Sequence, residues 1–306
     1  MPIPDFQAVM LPVLSALADG QQHHQRDLVE LVAELFKMTD QERKALLPSG
    51  KQAVIANRVG WARTYMKKAG LLTSPSRGTA VITEAGRKLL ASKPDRISVA
   101  LLKEKYPAFR EFHEYHPDQS DDVPAVSSAA ADESETPQEQ LERGYKQLRD
   151  ALAQELLEKI GDSSPAFFEQ LVVDLLVSMG YGGSRADAGQ SIGRSGDEGI
   201  DGIIKEDKLG LDVVYVQAKR WQNTVGRPLI QAFAGSLEGH RARKGVFITT
   251  STFSSDAREY VTKIEKKIVL IDGAMLAQLM IDHDVGVAPM RTFTVKRMDA
   301  DYFEGE

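Results

Sequence analysis

Apolar residues recur at intervals of three and four through most of the first hundred positions. Phe6, Val9, Met10, Val13, Leu14 and Leu17 line one face of a helix over 5–18, and Leu28, Leu31, Val32, Leu35 and Phe36 line one face of a second over 25–37. A segment from Gln41 to Leu47 leads to a third helix, Asn57 to Ala69, which Gly70 closes because glycine adopts the left-handed backbone a helix end requires. The period then shortens. Leu71–Thr73 and Thr79–Thr83 read as short strands joined by the turn Ser74–Gly78, and a last helix begins at Glu84.

Residues 117–138 break the pattern. They are rich in Pro, Ser, Ala and acid, with two Val as their only larger apolar residues, too little to offset chain entropy by burial. The composition predicts a flexible acidic linker between a first domain, 1–116, and a second, 139–306. Leu141, Tyr145, Leu148, Leu152, Leu156 and Ile160 then recur at helical spacing, on a helix that leads into the second domain or packs against a partner. No internal repeat of 20–50 residues is visible.

Beyond it helices and strands alternate. Ser164-Pro165 opens a helix with the stripe Phe167, Phe168, Leu171, Val172, Leu175, Leu176 and Met179. A glycine-rich run follows, then strands at Ile200–Lys205, Val213–Lys219, Gly245–Thr250 and Lys267–Ile271, with helices at Arg227–Gly239, Ser254–Glu265 and Gly273–Ile281. The order predicts an α/β domain with a mixed central sheet behind a mainly α amino-terminal domain.

Composition narrows the function. The chain has 306 residues, 42% apolar and 27% charged, and no cysteine, which removes disulfides, cysteine-ligated zinc, iron–sulfur clusters and thiol nucleophiles and suits a reducing cytoplasm. No stretch approaches the ~20 apolar residues of a membrane span, and the start lacks a basic region before its apolar residues, so neither membrane insertion nor export is expected. The net charge of −6 is unevenly spread: residues 1–116 carry 17 basic against 12 acidic side chains, 117–160 carry 4 against 11, and 161–306 carry 17 against 21. A basic module joined by an acidic segment to a second module is a layout of polyanion-binding proteins.

Candidate chemistry falls at strand ends. Asp201 begins the first strand of the second domain, and Gln217 and Lys219, two apart, share a face of the next while Ala218 turns into the core. Neighbouring strands would gather a carboxylate, an amide and an ammonium. Hydrolysis of a phosphodiester uses such a group: hard oxygen ligands for Mg²⁺, and a cation to stabilise charge on phosphorus or position water. Glu169, at the border of its helix's apolar stripe, can face the same cluster; otherwise it is a first-turn acid favoured by the helix dipole. Asp197 and Glu198 are candidate outer carboxylates. Arg220, Trp221, Asn223 and Arg227 could track phosphates, and Thr249, Thr250 and Ser251 could donate to one, although Ser254 is explained by capping. His23-His24 and His113-x-x-His116 lack further metal ligands and read as loop polarity. No GxxxxGK[ST] occurs, so no ATP is expected.

Helices followed by a strand, turn and strand resemble a winged helix-turn-helix. On its third helix Val59, Ala62, Tyr65, Met66 and Ala69 form the apolar side, and Arg58, Trp61, Arg63, Thr64, Lys67 and Lys68 the side that fits a major groove, with Arg77 at the wing tip. The alternative is a solvated basic face.

Asp201 with Gln217-Ala218-Lys219, preceded by FFEQLVVDLLVSMGYGG and followed by KRWQNTVGRPLIQAF and GVFITTSTFS, resembles the Mrr branch of the PD-(D/E)xK nucleases. NRVGWARTYMKKAGLLTSPSRG is similar to the Mrr amino-terminal domain, so the likeness covers nearly the whole chain apart from the linker. The resemblance implies a modification-dependent (type IV) restriction endonuclease that cuts methylated double-stranded DNA with Mg²⁺. It implies Asp201, Gln217 and the Ala218 carbonyl as metal ligands, Lys219 as catalytic lysine and Glu169 as helix-borne acid. Gln217 stands where the wider superfamily has Glu, a departure the Mrr branch shares; a neutral ligand leaves more of the charge to Glu169 and Asp201. Cutting both strands implies a homodimer or homotetramer. The competing readings are a DNA-binding regulator or sensor with a non-catalytic nuclease-like assembly domain, and a nuclease selective for DNA junctions.

Overall fold

The computed structural model describes residues 3–114, 134–182, 200–206, 212–296, 298–299 and 302. The chain divides into two compact units, one of residues 1–146 with 297–306 and one of residues 147–296.

In the first unit α1 (Met10–Ala16), β1 (His23–His24), α2 (Gln25–Leu35), α3 (Asp40–Lys44), α4 (Val54–Lys68), β2 (Leu72–Thr73), β3 (Thr79–Ile82), α5 (Glu84–Ala91), α6 (Val99–Lys105) and α7 (Pro107–Glu114) follow in order. Local chemistry sets several starts. Thr39 and Glu42 form a reciprocal capping box at α3, Thr83 accepts from the N–H of Gly86 at α5, and Ser98 accepts from that of Leu101 at α6. Gly70, at φ +73°, ends α4 as expected. The helix begins at Val54 rather than Asn57, because Ile55 extends its buried stripe by a turn. That stripe, with Val59, Ala62 and Met66, packs into a core with Phe6, Leu14, Leu28 and Phe109. The small sheet has the order β1-β3-β2, with His23 opposite Ala80 and Leu72 opposite Ile82. The histidine pair read as loop is therefore its third strand.

Residues 117–133 of the expected linker lie outside the described residues, as do Asp197 and Glu198. Residues 134–138 differ from the expectation: Thr136 is fully buried, and α8 (Pro137–Gly161) begins beside it. Thr136 and Glu139 close a capping box, with Glu139 N–H to the Thr136 hydroxyl at 3.2 Å and Thr136 N–H to Glu139 Oε2 at 2.9 Å. Polar composition reads as solvated only while such partners are unknown. Leu141, Tyr145 and Leu148 of the α8 stripe are exposed, and Ile160 is buried.

The second unit continues with α9 (Pro165–Ser178), β4 (Gly202–Lys205), β5 (Val213–Lys219), α10 (Arg227–Gly239), β6 (Lys244–Thr249), α11 (Ser255–Thr262), β7 (Lys267–Ile271) and α12 (Gly273–Asp282). The sheet order is β4-β5-β6-β7, antiparallel at β4–β5 and parallel beyond, hence mixed. Alternation along β5 divides its side chains between two cores. Val214, Val216 and Ala218 meet α9 and α12 through Val172, Leu175, Leu276 and Met280. Tyr215 faces the side of Phe233 and Leu237 on α10 and Ala257 on α11. A sheet covered on both faces explains the nearly continuous apolar runs of β5 and β6.

Candidate functional site

The antiparallel register of β4 and β5 sets Gly202 opposite Val216 and Ile203 opposite Tyr215. Asp201 precedes this pairing by one residue on the first strand, and Gln217 follows it on the second. The N–H of Asp201 donates to the Val216 carbonyl at 2.9 Å, and Oδ2 of Asp201 accepts from the N–H of Ala218 at 2.7 Å. Gln217 is 7% exposed, and its side-chain amide has no hydrogen-bond partner among the described residues. Lys219, two positions on, lies beside the fully buried Thr249 of β6, its Nζ 5.6 Å from the centre of the Trp221 ring. On α9, Glu169 lines with Asp201, Gly202 and Ala218 a small hollow of about 20 Å³.

These groups feel one another. Burial pushes the Asp201 carboxyl above its ordinary value, against the pull of the Ala218 N–H and the Lys219 charge. Glu169 is also pushed up, first by burial and then by the charge on Asp201. Two neighbouring carboxylates that both resist ionisation make a place that a bound cation would relieve. The donors are hard oxygens, which suits Mg²⁺ or Ca²⁺ rather than softer metals. Asp201 and Glu169 would supply the charge, and Gln217 and the Ala218 carbonyl neutral oxygens. Among the described residues no group of three or more His, Cys, Asp or Glu could hold a metal, so such an ion would have to keep much of its water.

The flanking residues are more structural than their chemistry suggests. Arg220 donates from Nη1 to the Gly161 carbonyl, joining the end of β5 to the end of α8, and its Nε is buried without a partner. The Thr250 hydroxyl accepts from the Trp221 N–H at 2.9 Å and donates to the Trp221 carbonyl at 2.8 Å; the Ser251 hydroxyl donates to the Gln222 carbonyl. Both hydroxyls are thus engaged in holding the loop after Lys219. Arg227 stacks over Tyr260 at 5.1 Å, and Ser254 caps α11.

In the first unit Thr64, Lys67 and Lys68 on α4 and Arg77 in the β2–β3 turn are exposed, and Trp61 is half-buried, edge-on to Tyr65. Two residues expected on this surface are turned inward. Arg63 is 9% exposed and donates to Oε1 of Gln25 and to the Thr79 carbonyl, both at 2.6 Å, tying α4 to α2 and β3. Arg58 donates to the carbonyls of Ile3 and Pro4 at 2.7 and 3.0 Å and pairs with Glu139 at 2.9 Å. A helical wheel places a Cα; it does not foresee that a long side chain at the stripe's border turns back to satisfy buried carbonyls. Instead Gln25, Gln52, Asn57 and Trp61 line an open hollow of about 330 Å³ on this surface, and the sequence reading had no signal for the amides. His23 pairs with Asp19 at 2.9 Å, and His113 packs on Tyr65 and Phe109; His116 lies outside the described residues.

Among the described residues no helix is long and apolar enough to cross a membrane. A restriction endonuclease family model, the Mrr catalytic domain, matches residues 160–280, and the Mrr N-terminal domain model matches residues 6–92. The type IV methyl-directed restriction enzyme EcoKMrr of Escherichia coli (strain K12) is 44% identical over 308 residues, covering 99% of this chain and all of that protein. Among solved structures, the MspJI restriction endonuclease in complex with a 27-mer oligonucleotide aligns with 65% of this chain and 42% of its own at 21% identity; its TM-score of 0.27 is too low to argue from. Identity on this scale along the full chain, with both family models in order, assigns the protein to the Mrr family of type IV restriction endonucleases.

Proposed function

We propose that the protein is a Mg²⁺-dependent endonuclease that hydrolyses phosphodiesters of methylated double-stranded DNA, a restriction enzyme acting in the cytoplasm. The observation that carries this reading is the cluster of Glu169, Asp201 and Lys219, with Asp201 aimed by the Ala218 N–H and Gln217 next to Ala218 on β5. Asp201, Gln217, the Ala218 carbonyl and Glu169 would hold the ion, which would supply Lewis acidity toward the phosphate and ease deprotonation of water. Lys219 orients the attacking water and offsets charge on phosphorus. The helices and hairpin of the first unit act as a winged helix, in which Thr64, Lys67 and Lys68 of α4 and Arg77 of the wing grip the duplex. Cutting two strands needs two such centres, and the exposed Leu141, Tyr145 and Leu148 on α8 support a homodimer or homotetramer. The methyl-directed activity named for the E. coli relative supports a methylated substrate.

The test is incubation with methylated and unmethylated copies of one plasmid, with Mg²⁺ or with a chelator. Linear product from the methylated plasmid with Mg²⁺ alone is expected. Equal cutting of both plasmids would remove the methyl requirement, and no cutting of either would remove the nuclease.

A further inference from the structure

The N-terminal half of α4 is already occupied by the protein's own chain. The hydroxyl of Thr136 donates to Oδ1 of Asn57 at 2.7 Å, and Nδ2 of Asn57 donates to Oε1 of Gln138 at 2.8 Å. Glu139, whose Oε2 closes the capping box with Thr136, takes Nε and Nη2 of Arg58 on Oε1, each at 2.9 Å. One turn on, Glu142 accepts the N–H and hydroxyl of Ser49 at 2.8 and 3.0 Å. Asn57 is 2% exposed and Glu139 9%.

The chemistry of these contacts is that of a base edge. An asparagine reads adenine in the major groove by accepting from N6–H and donating to N7, side by side; an arginine takes guanine or a phosphate through paired N–H groups. Thr136 and Gln138 present to Asn57 one donor and one acceptor, as adenine would, and Glu139 presents an anion to Arg58. A buried ion pair with a hydrogen-bonded amide is a costly way to hold a helix in place, since apolar side chains of similar volume would serve as well or better. Its advantage is exchange: the partners that Thr136, Gln138 and Glu139 supply are ones a nucleic acid can replace, while Arg58 keeps the Ile3 and Pro4 carbonyls. Lys67 and Lys68, toward the other end of α4, stay exposed.

The geometry points to a self-mask, in which Asn57 is an adenine-reading residue and the segment 134–142 stands in for the base and phosphate until DNA displaces it. This rests on α4 being the DNA-binding helix. In the masked state the lysines can hold a duplex without reading it, and displacement of Thr136, Gln138 and Glu139 adds the reading.

The experiment is a fluorescence anisotropy titration of the full chain, with chelator to prevent cutting. The probes are a short labelled duplex of mixed sequence and the same duplex with 7-deazaadenine for adenine, which lacks the N7 acceptor. Glu139→Gln and Thr136→Val/Glu139→Gln, with thermal melting as the check on folding, should bind the natural duplex about fivefold or more tighter than the unaltered protein. They should lose about tenfold on the deaza duplex, a loss that adding Asn57→Ala abolishes. If the double variant does not fold, Gln138→Ala, which removes the nearer acceptor of Asn57 and leaves the Thr136–Glu139 capping box in place, tests the same point. Folded variants that bind no tighter, or that do not distinguish the two duplexes, overturn the mask. Lys67→Ala/Lys68→Ala tests the underlying reading: if it binds as well as the unaltered protein, α4 is not the DNA helix; if it binds more weakly while unmasking changes nothing, that reading stands and the mask alone fails.

Discussion

The backbone N–H of Ala218 points at Oδ2 of Asp201, 2.7 Å away, so β5 itself aims the carboxylate at the start of β4. The aim depends on the strand pairing and not on the charge. Asparagine at 201 can accept the same N–H through its amide oxygen and keep the geometry. Asp201→Asn should therefore lower plasmid cleavage by at least about a hundredfold while duplex binding stays within about twofold. Since burial works against the ionised form of Asp201, the variant should melt no lower than the unaltered protein without metal. Cleavage above about a tenth of the original rate would remove Asp201 from the centre.

Gln217 supplies the second test, because it is buried on β5 next to Ala218, whose N–H holds Asp201. Gln217→Glu adds a carboxylate where the wider superfamily has one. The Mg²⁺ concentration for half-maximal cleavage should fall by about tenfold, since ligand charge tunes affinity for hard cations. In chelator the variant should melt lower, because a further buried acid meets the charge of Asp201, and Mg²⁺ should restore the loss. An unchanged Mg²⁺ requirement would place Gln217 outside the ion's coordination.

The elements around this centre were legible where pattern and punctuation agree. β5, β7 and α10 begin and end where the sequence puts them, since apolar β-branched runs mark the strands and Gly226-Arg227-Pro228 marks the helix start. That Asp201 lies near enough to Lys219 to feel its charge follows from the same pattern, as it needs only a period of two and a neighbouring strand. What escaped has no local period. β1 is two residues long and exists because His23 finds Ala80. Asn57 and Arg58 are covered by Thr136, Gln138 and Glu139, about eighty positions along the chain, and a contact at that separation leaves no trace in the residues around either end.

Arg63 and Lys67, one turn apart on α4, should separate structure from DNA binding. Arg63→Met leaves the Thr79 carbonyl and Gln25 without their donors and should lower stability by about 2–3 kcal/mol in denaturant unfolding. The dependence of duplex affinity on salt should not change in slope. Lys67→Ala should do the reverse: stability within about 0.5 kcal/mol, and a slope of log affinity against log salt lower by about one, as for one lost phosphate contact. A slope change with Arg63→Met would mean that its guanidinium leaves Thr79 to meet DNA.

Acid should loosen the contact of Glu142, near the start of α8, with Ser49 within the first unit. Burial tends to raise the Glu142 carboxyl, but the Ser49 N–H, the Gln138 amide, the Ser49 hydroxyl and the charge of Lys51 together hold it below its ordinary value. A carboxylate depressed in the folded state adds stability that is fully present above its unfolded pKa of about 4.3 and is lost as pH falls through the lower, folded value. Glu142→Gln keeps an oxygen for one of the Ser49 donors and gives up the charge. The unaltered protein should therefore be the more stable of the two near neutral pH, by about 0.5 kcal/mol at so exposed a site. That difference should close as pH drops below about 4. Comparing the two proteins at each pH cancels the acid sensitivity of every other carboxylate, so a difference that persists at the acid end would mean that Ser49 is held by geometry alone.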